Sequence, residues 1–253
     1  VPLTGCLLFG ALISPTDPVT VLDVLRRAPV PERLRSIIAG EAMFNDGIGI
    51  VLYALLLQAA LEGGAMPGPF VWVLEFLREA GGGALLGFAT GMLAVVAIRG
   101  IDEYSIELMI SLALVAGTYG IAQTIGVSGP VAVVTAGLIM GSIGKRYAVS
   151  DRTHDYLSKF WALVDELLNA LLYFLVGLEF ATVALDWQLA AAAAAAIGLA
   201  LAARALSIAI PGVPLNLHAE HKLRGLAVMS WSGLRGGISL ALALSIPAED
   251  FRG

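Results

Sequence analysis

Glu41, Asn45 and Asp46 stand at the head of an otherwise apolar run, 40-GEAMFNDGIGIVLYALLL-57. Two other stretches set charge among helix breakers. In 13-ISPTDPVTV-21, Pro15 and Pro18 bracket Thr16 and Asp17. In 230-SWSGLRGGISLAL-242, Gly233, Gly236 and Gly237 surround Arg235, and Arg204 is a further base inside an apolar run. Carboxylate, hydroxyl and carbonyl oxygens are what a hard cation binds, by analogy with other hard-ion sites. A carboxylate stripped of water also takes up a proton more readily. These residue types therefore point to cation and proton binding. No His and Cys set has zinc-ligand spacing, and no Gly-x-x-x-x-Gly-Lys phosphate loop occurs.

The elements that carry these residues are membrane helices. The chain is 58% hydrophobic, only 14% charged and contains 29 glycines. Its mean hydropathy is +0.85. A soluble domain carries roughly 25% charged residues, so this chain lacks the material for a solvated surface. Apolar stretches predict an all-α polytopic membrane protein with about eight spans, over 3–22, 37–61, 71–98, 106–125, 130–143, 156–178, 188–210 and 223–247. The whole of 1–253 reads as one transmembrane domain. It begins without Met or a cleavable leader, as a chain entered within a helix would, so upstream helices and a few downstream residues are expected beyond it. The single Cys6 excludes an internal disulfide and is expected to be a small buried residue.

Lys and Arg fall on alternate connections. Arg26, Arg27, Arg33 and Arg35 lie in 23–36, Arg99 in 99–105, Lys145, Arg146 and Arg152 in 144–155, and Lys222 in 211–222. The intervening loops carry none. The basic loops are therefore expected in the cytoplasm, with the first span running from outside to inside. His154, His218 and His221 fall among these loops. Glu107, and Glu75 with Arg78, read as interfacial residues near span ends, and Glu179 as a solvated helix end. The alanines at 190–196 suit either close helix packing or a lipid-facing filler.

A charge near the bilayer centre costs about 2.5–3.5 kcal/mol on insertion scales, so it is expected to face a cavity or a partner. With about 1.5 Å of rise per residue, Asp46 lies about 13 Å from the cytoplasmic edge, close to the midplane. Glu41 is shallower, at a depth similar to that of Arg204. The two suit an ion pair that Asn45 joins, which would leave Asp46 unpaired and titratable; independent snorkelling is the alternative. The prolines predict an unwound first span whose freed carbonyls face a cavity, unless they mark an extracellular turn. The glycines around Arg235 predict a second broken helix that crosses the first, or else a kink with a snorkelling Arg235.

The motifs SPTDPV, GEAMFNDGIGIV, LLYFLVGLEF, AARAL and SGLRGGISLAL, in this order, resemble the monovalent cation:proton antiporter family, which includes bacterial sodium/proton exchangers. The resemblance implies a helix bundle with two discontinuous crossing helices, and a transporter rather than an enzyme. It assigns Asp46 as the acid shared by cation and proton, Thr16 as an oxygen ligand and Asp17 as the charge at the break. It places Asn45, Glu41, Arg204 and Arg235 in support. The Asn45–Asp46 order resembles the electroneutral branch. The family usually has Ser where Ala42 stands, and carries a ligand acid on an earlier helix that this chain does not contain, so the chain alone is expected to be inactive. The resemblance also implies a homodimer in a bacterial plasma membrane, with no cofactor beyond the transported sodium ion and proton. Exchange of sodium or lithium for protons is the expected activity. Potassium/proton exchange, a channel or sensor on the same scaffold, and an intramembrane aspartyl protease with an Asp17–Asp46 dyad are the alternatives. A Gly-x-Gly-Asp protease signature is missing.

Overall fold

The computed structural model describes residues 3–16, 32–61, 68–101, 103–144, 151–182, 186–212, 228–231, 233 and 236–246. Among them every element is a helix. In hydrocarbon a backbone must satisfy its own polar groups, and a helix does so within one segment. The elements are α1 (Leu3–Leu12), α2 (Glu32–Leu61), α3 (Pro69–Phe76), α4 (Gly82–Ile98), α5 (Tyr104–Ile125), α6 (Gly129–Ile139), α7 (Asp151–Thr182), α8 (Trp187–Gly212) and α9 (Gly237–Leu244). A π-helical turn, Leu77–Gly81, joins α3 to α4, and a second, Met140–Gly144, extends α6.

Among the described residues, five stretches are long and apolar enough to cross a membrane: Ser36–Leu61, Phe70–Ile98, Tyr104–Ile125, Asp155–Ala181 and Trp187–Ile210. The chain is thus a polytopic helical membrane protein. The other three expected spans differ from continuous helices. The first is helical only to Leu12, turns at Ile13 and is irregular over 14–16. The stretch 130–143 is the short α6 with its π turn. In 223–247 the described parts are helical residues 228–231, a turn at Gly233, and α9. Two expected loops are also shorter than 23–36 and 144–155, because α2 starts at Glu32 and α7 at Asp151. Residues 213–222 lie outside the described residues.

Contacts gather into two units. One comprises Val1–Ala11, Gly47–Leu171 and Ala248–Gly253, the other Leu12–Asp46 and Leu172–Pro247. In the first, α4, α5 and α6 pack together. Gly83, Gly87 and Gly91 form a stripe along α4 that lets the backbone of α6 come close. A Cβ on Gly83 would stand 2.6 Å from the Ser128 carbonyl oxygen, and one on Gly87 would strike the carbonyl of Ala132. On Gly91 it would meet Ala136 Cα at 3.1 Å. Small residues serve this purpose where lipid supplies no hydrophobic drive for helix association. Thr118 Oγ1 donates to Thr90 Oγ1 at 2.9 Å between α5 and α4. The π turn contributes too, since the Glu79 carbonyl accepts the Ser128 N–H at 3.1 Å, and Ser128 caps α6.

Two side chains differ from their expected setting. Glu107 is completely buried, not interfacial. It sits in the first turn of α5, where the helix N-terminus favours an anion. Cys6 lies on an exposed face of α1, where a small apolar side chain is at home against lipid. Residues 190–195 of the alanine run are exposed as well. Leu163, Leu167, Leu171 and Phe174 of α7 are likewise exposed, the distribution of a helix whose sides meet hydrocarbon.

The glycine stripe gives a direct test. Gly87→Ala should destabilise the protein by about 1–3 kcal/mol, the usual cost of overpacking. Gly117→Ala in α5, where nothing lies within 4 Å of the added carbon, should be neutral or better. Thermal unfolding of the two variants in detergent measures the difference.

Candidate ion site

The sequence ends α1 where it must. Pro15 has no N–H and disfavours helix at Ser14, so the chain leaves helical geometry after Leu12. This strands backbone groups that water would ordinarily satisfy. Among the described residues, contacts that replace it lie in the second unit. Ser14 Oγ donates to Asn45 Oδ1 at 2.9 Å, and Asn45 Nδ2 returns a hydrogen bond to the Ser14 carbonyl. Thr16 N–H donates to Asp46 Oδ1 at 2.9 Å. Ser239 Oγ, in the first turn of α9, donates to the Pro15 carbonyl at 3.3 Å. Thr16, Ser239 and Ala42 are buried, while Asn45 and Asp46 are partly covered. The irregular segment that follows α1, the head of α2 and the helix after the break at Gly233 therefore meet at residues 14–16.

One helical turn away on α2, Glu41 meets Arg204 of α8. Arg204 Nη2 donates to Glu41 Oε2 at 2.8 Å and Nη1 donates to Oε1, a two-pronged pairing. Nη2 also reaches the Met229 carbonyl at 3.2 Å. The Arg204 side chain is 8% exposed and that of Glu41 30%. Fork geometry of this kind fixes orientation as well as charge.

The structure thus brings Thr16, Glu41, Asn45, Asp46 and Arg204 into one neighbourhood. Asp17 and Arg235 lie outside the described residues. Two expectations are corrected. Asn45 does not join the Glu41–Arg204 pair: the irregular backbone at Ser14 presents both a donor and an acceptor that an amide matches. Nor is Asp46 unpaired, because Thr16, past Pro15, has no helical acceptor for its N–H and turns it to the carboxylate. On the irregular segment, the Ser14 and Pro15 carbonyls already accept hydrogen bonds.

Sequence reasoning passed over Ser14 and Ser239, which look like ordinary small polar residues until the chain is folded. It also passed over Asp165 and Glu166, exposed within the apolar α7, where Asn169 Nδ2 donates to Asp165 Oδ1 at 3.2 Å. Their signal was available, since acids deep within an apolar stretch are costly and seldom idle.

An irregular segment after α1 and an interrupted helix near Gly233, meeting beside a carboxylate on an apolar helix and with a neighbouring acid held by arginine, define a helical membrane protein built around a charged interior site. The family follows from comparison. The family model described as "Sodium/hydrogen exchanger, transmembrane" matches residues 1–252, and the chain belongs to that family. It is 44% identical over 246 residues to the Na(+)/H(+) antiporter NhaP of Pseudomonas aeruginosa, covering 96% of this chain and 58% of that protein. It is 35% identical to the Na(+)/H(+) antiporter NhaH of Halobacillus dabanensis, covering 100% of this chain and 62% of that one. With ApNhaP of Aphanothece halophytica, also a Na(+)/H(+) antiporter, the identity is 33%, over 95% of this chain and 46% of the relative. The chain therefore spans about three-fifths or less of the relatives it matches.

The ion pair makes the next test. Arg204→Ala should cost about 3–5 kcal/mol of stability by leaving a carboxylate uncompensated, whereas Glu41→Ala/Arg204→Ala should recover much of it. Unfolding temperatures of the wild type, the single variant and the double variant in detergent measure the recovery.

Proposed function

We propose that the protein containing this chain exchanges sodium or lithium for protons across a bacterial plasma membrane, with cation and proton competing for Asp46. The observation that carries this reading is the meeting of polar groups at residues 14–16. The Thr16 N–H donates to Asp46 Oδ1, Asn45 exchanges hydrogen bonds with Ser14 and Ser239 donates to the Pro15 carbonyl, while the neighbouring acid Glu41 is paired with Arg204. A carboxylate set among oxygen-bearing groups within an apolar helix is a place where a cation or a proton can be taken up. Each of the relatives is named an Na(+)/H(+) antiporter, which supports sodium/proton exchange as the activity.

In this reading Asp46 binds the cation or the proton, Thr16 contributes an oxygen, and Asp17 and Arg235 balance charge at the two breaks. Asn45, being an amide, adds no second charge, which favours exchange of one cation for one proton. The basic loops face the cytoplasm, the protein works as a homodimer, and no cofactor takes part. The helices around the breaks move so that the site opens to each side in turn. Potassium in place of sodium is the nearest alternative, because cation choice depends on distances among the oxygens.

Reconstituted into proteoliposomes, the full-length protein should give saturable, sodium-dependent proton flux, and Asp46→Asn should abolish it. Near-normal flux in that variant overturns the proposal. Competition also has a signed pH dependence: as pH falls, more Asp46 is protonated, so the half-saturating sodium concentration should rise, approaching about tenfold per pH unit in the strict limit. A half-saturating concentration independent of pH would favour a channel. Ala42, buried one turn before Asp46, lacks the hydroxyl usual in the family. Ala42→Ser should lower the half-saturating sodium concentration by about two- to tenfold, the effect of one net hydrogen-bond-scale interaction.

A further inference from the structure

We propose that Gly233 is a positioning residue: the space where its side chain would be is the slot that seats Arg204 and aims its fork at Glu41. This rests on the exchange reading for its functional consequence, though not for its geometry. Gly233 lies in the turn between helical residues 228–231 and α9, and it is buried. A Cβ built there would collide with Arg204, standing 2.7 Å from Cζ and 2.9 Å from Cδ and closer still to Nε. Carbon contacts below 3.0 Å essentially never occur, so something would have to shift.

What this position demands is space. Arg204 has little room to retreat. Its two terminal nitrogens are committed to Glu41, and one of them also to the Met229 carbonyl just before the turn. Its Nε is buried and meets no acceptor among the described residues, as expected of a stem pressed edge-on against a bare backbone. A methyl group at 233 would lever the stem out of the slot and pull the fork from the carboxylate. Glu41 would then carry an uncompensated charge one turn from Asp46. Gly233 thus acts on the ion site through Arg204 and Glu41, without touching the ion itself.

The test is a cycle on the full-length protein, comparing wild type, Gly233→Ala, Glu41→Ala/Arg204→Ala, and the triple variant. Unfolding temperature in detergent should fall by several degrees on adding Gly233→Ala to the wild type, and stay level or rise on adding it to the double variant, where no guanidinium fills the slot. In proteoliposomes Gly233→Ala should raise the half-saturating sodium concentration by roughly tenfold or more, the scale of a broken buried ion pair. If Gly233→Ala fails to accumulate alone yet the triple variant accumulates like the double one, the slot is supported. Equal losses in both backgrounds, or none in either, overturn it. Absence of sodium-dependent exchange in the wild type would overturn the functional reading instead, and the unfolding cycle would still report on the slot.

Discussion

Backbone that leaves a helix inside a membrane has no water to turn to, and the arrangement around residues 14–16 follows from that constraint. Each stranded group costs several kcal/mol if left alone. The partners here are side chains from elsewhere in the chain: Asn45 and Asp46 from α2, and Ser239 from α9. An interrupted helix is therefore also a recruiting device. It draws polar side chains to one depth, and those chains then form the chemical environment of the interruption. The Thr16 N–H turns toward Asp46 because Pro15 has ended the helix that would otherwise occupy it.

The two acids of α2 illustrate how one helix can hold like charges for unlike ends. Glu41 and Asp46 stand five positions apart, so they project at different angles and meet different neighbours. Arg204 grips the first with both nitrogens, and both charges are spent there. The second accepts a hydrogen bond from the Thr16 N–H at the end of the irregular segment.

Much of this was legible in the sequence, because costly residues announce themselves. Depth alone paired Glu41 with Arg204, since few arrangements make a midspan arginine tolerable, and prolines at 15 and 18 signalled an unwound segment. Local hydrogen bonding was less legible. Asn45 was assigned to the ion pair on the strength of its neighbour in the helix, whereas its partner is Ser14, thirty-one positions away. No spacing rule reaches across that gap. Glu107 was misplaced for a similar reason: closeness to a span end suggested an interface, but tertiary packing covers that end of α5. Asp165 and Glu166 fall under the same cost argument as Asp46, being acids within an apolar stretch.

Glycine was the residue type hardest to read, because its meaning depends on what lies opposite. The stripe Gly83, Gly87 and Gly91 repeats at four-residue spacing and could have been recognised as a helix-packing face. Gly126, with φ of 71°, ends α5 in a left-handed cap, and its place before a turn gives that role away. Gly233 carries neither signal. In sequence it looks like one more flexible joint in a glycine-rich break, and flexibility would be a reasonable inference from the string alone. In the fold it faces a buried guanidinium held at its far end by a carboxylate. The missing side chain then serves rigidity: it admits Arg204 to a seat from which the fork reaches Glu41, and the same break that loosens one helix thereby fixes the charge on another.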